Sequence, residues 1–445
     1  MDDAIVTDPL QGLVGRLDGR MALRGDPGWD AARAAWNTRV RQHPSAVVWP
    51  AGLDDLRRVL SAARAVGAAV TTQPRGHGAS TVPAGGVLLR PDAFDDLAVD
   101  VDRRIARVGA GVTWGRLLAA LAGTGLVAPT GSSPSVSVVG FLLAGGHSWF
   151  SRSVGLGACA LHAVEIMLAD ATYVRLVRGD GDLFWALGGA GGGLGIVTAV
   201  ELELAASRGL SGGRLMFDGL DAAAVLAAVV EEGAEAPRGL GLHATVLRLP
   251  DVPAVPPALR GRTVATVDGV RLGDDRAADL VLDRIRRVAS PMLDTFAPLG
   301  VDGIPSVAAE PTEPGAAADW SVTADLDAAG AAALVEALAA GPEVAAVQVR
   351  VLGGALAERD ERVVAGAVAG AQLVHAVAPG EGTDGVLARI TAATGPYATG
   401  TTVASFLGDG EEYGRAYDAA AIRRLRAVKA AVDPEGLIRG NRAYR

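Results

Sequence analysis

A single cysteine, Cys159, and a single lysine, Lys429, stand in a chain of 445 residues. One cysteine excludes an internal disulfide and any multi-cysteine metal site, and Cys159 reads as a small buried apolar residue. One lysine, placed in a C-terminal amphipathic segment, leaves Schiff-base chemistry without a suitable nucleophile. A basic excess is also missing: the net charge of −9 argues against a nucleic-acid partner. No run reaches the ~18 apolar residues of a membrane span. The opening Met1-Asp2-Asp3-Ala4 has no basic stretch before an apolar core, so no signal peptide is expected and the location reads as cytoplasmic. There is no Walker A loop, no G-x-S-x-G elbow and no H-E-x-x-H, which removes the commonest nucleotide-hydrolysis and hydrolase chemistries. The glycine run Gly188–Gly195 is not a Rossmann fingerprint either: it precedes a strand rather than opening a helix.

What is present is an apolar half, enough for two or three domains around substantial cores. The heavy use of Arg over Lys has the character of a GC-rich bacterial genome. Trp29 and Trp36 lie at a helix-like interval, predicting a helix over 29–37. Strands are expected at 46–49, 68–72, 87–89 and 104–108. A helix starts at Asp54 and closes at Gly67, and another is capped by Thr113. Residues 161–168 and 173–177 form a hairpin, 182–187 a helix and 196–204 a strand. After about 206 the pattern changes. Helices at 220–233, 276–288 and 327–339 alternate with strands at 241–249, 262–270, 344–352 and 371–377, then a helix runs over 411–431. The fold class is α+β. Domains are expected at 1–205, at 206–410 (an antiparallel sheet backed by helices) and at 411–445, a helix and tail returning to the first.

The most informative stretch is Gln73-Pro74-Arg75-Gly76-His77-Gly78-Ala79-Ser80. Two glycines bracket one histidine, so the backbone can turn sharply and approach a ligand. Successive amide groups make an anion nest, with Arg75 beside it. Alone, such a turn is more often a surface loop. Residues 128–150 are small, apolar and glycine-punctuated, with neither helix nor strand period. A buried segment of this kind needs partners for its backbone, which close packing or a flat polar ligand would provide.

Taken together, these motifs resemble those of flavoproteins with a p-cresol methylhydroxylase-type (PCMH-type) FAD-binding domain, the vanillyl-alcohol oxidase superfamily. Pro74-Arg75-Gly76-His77-Gly78 is similar to its histidine loop. Thr130–Gly140, Gly145-Gly146 and Arg152–Leu156 resemble the second flavin segment, and Gly192–Thr198 the third. Asp433-Pro434 with Asn441 resembles the terminal motif of the berberine-bridge-enzyme-like branch. The resemblance implies FAD held through one covalent link from His77. Members with two links carry cysteine where Ser133 stands. It implies that Arg75, Gly76, His77, Gly78 and Ala79 hold the pyrophosphate loop. Ser132, Ser133, Val138, Gly140 and Ser148 would line the ring and ribityl chain, Gly195 and Val197 the adenosine half, and Asn441 the far ring edge. No metal is implied.

The resemblance implies an FAD-dependent oxidoreductase acting on an alcohol or similar C–H donor among small molecules, a secondary metabolite included. Molecular oxygen is expected as acceptor, because valine at Val138 leaves room where a bulkier residue resembles a plug. A dehydrogenase with another acceptor, or a non-redox flavin-containing binding protein, is the alternative. Many relatives have Tyr-x-Asn where this chain reads Val403-Ala404-Ser405-Phe406-Leu407. The candidate catalytic groups are therefore His243, His375, Arg350 and Tyr397, since imidazole titrates near neutrality. His147 reads equally as ring-facing or packed. His162 reads as structural, and Glu310 as solvated in its proline-rich loop. The scarcity of aromatic and charged residues in the second domain predicts a largely apolar pocket.

Overall fold

A computed structural model describes residues 10–81, 84–253, 255–442 and 444. Residues Met1–Ala4, on which the expectation of no signal peptide rests, lie outside them. The first sheet has the order β1-β2-β4-β3: β1 (Arg20–Leu23), β2 (Ala46–Trp49), β3 (Val70–Thr72) and β4 (Val87–Leu89). Strands β2 and β3 both run parallel to β4, and such pairing requires crossovers. Helix α2 (Leu53–Ala65) makes one of them, burying Leu56, Val59, Leu60 and Ala63 against the sheet. The short α1 (Trp29–Arg33) ends early: Ala34 is extended, so the predicted helix over 29–37 stops at Arg33 and Trp36 is free to turn elsewhere.

The second sheet is antiparallel, in the order β5-β6-β10-β8-β9. Its members are β5 (Leu97–Asp100), β6 (Ile105–Gly109), β8 (Leu161–Met167), β9 (Tyr173–Val177) and β10 (Ile196–Glu203). A short ladder, β7 (Leu126–Val127) with β11 (Ala205–Ala206), stands apart. Helices α3 (Trp114–Leu121) and α4 (Val138–Leu143) pack into the core with α6 (Gly181–Ala190). Sequence periodicity missed α4 because it has only six residues. Its start is local chemistry, Ser137 Oγ accepting from the Gly140 amide at 3.2 Å.

The third sheet has eight strands. The order along it is β15-β12-β14-β13-β18-β19-β17, with β16 beside β12, and every pairing is antiparallel. The strands are β12 (Ser211–Asp218), β13 (Leu240–Arg248), β14 (Thr263–Arg271), β15 (Leu293–Asp294), β16 (Ala297–Pro298), β17 (Ala317–Ala324), β18 (Ala346–Val351) and β19 (Gln372–Pro379). Helices α7 (Ala222–Glu235), α8 (Arg276–Arg286), α10 (Ala328–Ala339) and α11 (Asp384–Thr394) back one face. The period of two then sorts the residues. Leu215, Leu242, Val267, Val349 and Val374 point to those helices, and the polar alternates point to the opposite face.

The C-terminal helix α12 (Ala419–Val432) begins at the Asp418 cap rather than at 411; 413–415 is a separate 3-10 turn. The chain then returns to the first sheet. The Val70 amide donates to the Leu437 carbonyl at 2.7 Å, and the Arg439 amide donates to that of Val70 at 2.9 Å.

Candidate active site

The His77 loop follows β3 directly. Gly76 has φ +82°, and a Cβ there would lie 2.9 Å from the Trp36 amide nitrogen, so both the turn and the contact require glycine. Trp36 stacks on His77, ring centroids 4.2 Å apart. His77 Nε2 is 3.2 Å from Ser135 Oγ, which is 2.9 Å from Ser133 Oγ. The structure thus joins positions 77 and 133, 56 residues apart in sequence, through one hydroxyl. His77 Nδ1 is buried with no partner among the described residues. Burial, then the nearby charge of Arg75, pushes the imidazole down to about 4, so it is neutral at pH 7. Arg75 and Gly78 are exposed and Ala79 is buried; an Arg75 Nη reaches the Gly111 carbonyl at 3.4 Å.

The 130–150 segment lies between this loop and the polar face of the third sheet. Gly146 has φ +70°, and a Cβ there would lie 2.4 Å from the Phe141 ring. That turn delivers His147, buried with both ring nitrogens unpartnered, and Trp149, stacked on His243 at 4.0 Å. Ser148 is engaged locally with Ser151 and the Phe150 amide. Val138 is fully buried at the start of α4, and Gly140, two residues on, donates its amide to the Ser137 cap. Gly195 packs under Ile166, and Val197 lies in the core opposite the same residue. Asn441 Oδ1 is buried and unpartnered.

Opposite stands the polar sheet face, in two rows. Register places Arg214, Asp268, His243, Arg350, Leu373 and Thr323 side by side across β12, β14, β13, β18, β19 and β17. The next row holds Thr266, Thr245, Gln348, His375 and Ser321. Phe406 sits over them. Its ring meets His375 at 5.0 Å, His147 at 6.3 Å and the Arg350 guanidinium at 4.7 Å. Ser321 Oγ pins the segment by donating to the Phe406 carbonyl at 2.8 Å. Burial, reinforced by Arg350, holds His147 and His375 down to about 3 and His243 well below the usual imidazole range.

The structure therefore brings three of the four catalytic candidates together: His243, Arg350 and His375. Tyr397 is not among them. Its ring packs on Gly330 at the start of α10, on the helix side of the sheet. The predicted apolar pocket is also corrected, since the alternate residues of this face are histidine, arginine, aspartate, glutamine and threonine. Glu310 is not free in solvent: it accepts from Ser132 Oγ and lies within electrostatic reach of Asp268 and Arg350. Phe406 and Trp149 were missed, because nothing local marks an aromatic as a pocket wall. A separate cavity of about 690 Å3, lined by Leu156, Cys159, Leu272 and Leu356, contains none of the unpartnered buried polar atoms.

Residues 44–177 match the family model described as an FAD binding domain. That match covers under a third of the chain. Relatives include an uncharacterized FAD-linked oxidoreductase of Bacillus subtilis, 30% identical over 40% of this chain and 41% of that one. Glucooligosaccharide oxidase of Sarocladium strictum is 31% identical over 40% of this chain and 36% of its own. The matched part is thus well under half of those relatives. The fold extends further. The BBE-like 1 protein of Physcomitrella patens superposes with a TM-score of 0.85 over 98% of this chain and 99% of that one, at 20% identity. The 6-hydroxy-D-nicotine oxidase of Arthrobacter nicotinovorans gives 0.81 over 96% and 98%, at 21% identity. Among the described residues no helix is long and apolar enough to cross a membrane, and no group of His, Cys, Asp and Glu is placed to hold a metal ion.

Proposed function

We propose that this protein is an FAD-dependent oxidoreductase, an oxidase of small-molecule alcohols or similar C–H donors, with its substrate site between the 130–150 segment and the polar face of the third sheet. The carrying observation is that His77 Nδ1, both nitrogens of His147 and Asn441 Oδ1, one residue in each of three segments that resemble flavin-binding motifs, are buried without a partner among the described residues. Buried polar atoms of a protein are paired almost without exception, so orphans at these motif positions fit a bound polar group. FAD fits their placement. Amide groups of residues 75–79 would hold its pyrophosphate, Ser132 and Ser133 its ring side, and Asn441 the far edge. A covalent link through His77 is supported by a neutral imidazole whose Nε2 is already held by Ser135, which leaves only Nδ1 available.

When bound, FAD supplies a two-electron acceptor for hydride. The chain must take the accompanying proton and hold the donor. His243 is the base we favour, being neutral, lodged against Trp149 and directly opposite Arg350; His375 lies on the next row. Dissolved oxygen accepting the two electrons and two protons would yield hydrogen peroxide and close the cycle. Residues 206–410 would form the substrate domain. The test is anaerobic mixing with a panel of alcohols, sugars and hydroxy acids. A donor that bleaches the flavin absorbance, and bleaches it at least about 100-fold more slowly in His243→Asn, supports the assignment. Bleaching unaffected by that substitution removes His243. A protein that no donor in the panel reduces would be the flavin-containing binding protein instead.

A further inference from the structure

Two buried arginines, Arg90 and Arg152, and the half-buried Arg214 are tied down. Arg90 donates to the carbonyls of Gln73, Ala32 and Ala34. Arg152 donates to those of Leu352 and Ala236. Arg214 grips both oxygens of Asp268 and reaches the Ala308 carbonyl. Arg350 is different. It is only 6% exposed, yet its one hydrogen bond is from Nε to Gln348 Oε1 at 2.6 Å. Among the described residues neither terminal nitrogen has a partner. The two nearest carboxylates are engaged: Asp268 with Arg214, Glu310 with Ser132. Gln348 is held in turn by donating to Thr245 Oγ1 at 3.0 Å, so the guanidinium is aimed by a supported neighbour.

A buried cation without a paired anion is costly, and such cations are normally paired. A guanidinium with both Nη groups free presents the fork that matches a carboxylate in two parallel hydrogen bonds. This fork lies at the centre of the proposed cleft, beside Phe406 and across the strand pair from His243. We infer that Arg350 anchors the substrate through a carboxylate, so that the substrate class is a small organic acid carrying an oxidisable alcohol or similar C–H group. The inference rests on the functional reading of the same cleft. The bound carboxylate takes the two free Nη groups and offsets the positive charge that faces His147, His243 and His375.

The test uses the flavin-loaded protein and non-oxidisable probes in matched pairs, such as benzoate with benzamide and pivalate with pivalamide. Binding is read as a perturbation of the visible flavin spectrum and as a rise in melting temperature. The acids are expected to bind and the amides to bind at least about 10-fold more weakly. Arg350→Gln should weaken the acids by at least about 10-fold without changing the amides or the flavin content. Arg350→Lys, which keeps the charge but not the fork, should fall between, and serves if the glutamine variant does not fold. Equal binding of acid and amide, no acid binding up to the solubility limit, or acid binding indifferent to both substitutions would overturn the inference. So would a fall in melting temperature in Arg350→Gln with no loss of acid binding, which would make Arg350 an internal counter-charge to Glu310. If the protein takes up no flavin, the functional reading fails, and the thermal shift still decides whether Arg350 holds a carboxylate.

Discussion

Trp149 lies face to face with His243, ring centroids 4.0 Å apart and planes 18° from parallel. The two come from different sheets' territory and are 94 residues apart in the chain. Their stack locks the 130–150 segment onto the polar face of the third sheet, which is where the proposed chemistry is assembled. Gly241, two residues before His243 on the same face, is the counterpart of that closeness: a Cβ there would lie 2.2 Å from the Trp149 carbonyl oxygen.

The buried imidazoles make stability depend on pH. His147, His243 and His375 have pKa values below the 6.5 of a free imidazole, because of burial first and Arg350 second. In the unfolded chain they take up protons as pH falls through 6.5, and in the fold they do not. Their contribution is therefore complete above pH 6.5 and is lost progressively as pH falls toward about 3. Asp268 and Asp319, raised by burial, act in the opposite direction, so the informative quantity is a difference. Replacing His375 by Gln should flatten the urea-unfolding profile between pH 6.5 and 5, by up to about 1.4 kcal/mol per pH unit. An unchanged slope would mean that His375 is not neutral in the fold.

The only lysine ties down the C-terminal segment. Lys429 Nζ bonds Asp433 at 2.5 Å and the carbonyls of Gly193 and Ile438 at 2.7 and 2.6 Å. The Asp433 carboxylate accepts the amides of Leu437 and Ile438. Asp433 is buried, so Asp433→Ala leaves an unpaired ammonium and two unpaired amides. The expected cost is about 2–4 kcal/mol by denaturant unfolding. Removal of 433–445 should in addition lower flavin content, since Asn441 goes with it. A truncated protein with native melting and full flavin would contradict this placement.

Much of this arrangement was legible in the chain. The glycine-bracketed His77, the helix from Asp54 and the hairpin at 161–177 carry local signals: a required positive φ, an apolar helical stripe, two alternating runs. Two long strands of the third sheet, β12 and β17, were not, nor were the two-residue β15 and β16. In Ser211-Gly212-Gly213-Arg214 the glycines hide the alternation, and Ala317–Ala324 is too small-sided to stand out. The contact of Glu310 with Ser132 spans 178 residues, and that of Phe406 with His147 joins distant loops. Such pairings are set by sheet register and loop paths, which no local window of sequence contains. Tyr397 shows the converse: a lone aromatic that looked free for chemistry is filling space beside α10.

The proposed use of oxygen would turn on Val138, fully buried at the head of α4. Adding a methyl group to a close-packed interior fills what little space is there. Val138→Ile is expected to slow reoxidation of the reduced protein by dissolved oxygen at least about 10-fold in stopped flow, with little change in substrate reduction. Slow reoxidation of the native protein, with rapid reaction of an artificial quinone, would make it a dehydrogenase.

The covalent link is a separate matter from binding. The free Nδ1 of His77 and a serine at position 133 lead to one attachment point. Acid precipitation should leave the flavin on the protein, digestion should place it on the peptide containing His77, and His77→Ala should release it. Complete release from the native protein would leave His77 as a packing partner of Trp36.

The flavin content of the purified protein tests the central claim most directly. The account predicts an absorbance spectrum with the two visible bands of an oxidised flavin and about one FAD per chain, either as purified or after incubation with FAD. A folded protein that stays colourless and takes up no FAD under both conditions would contradict it.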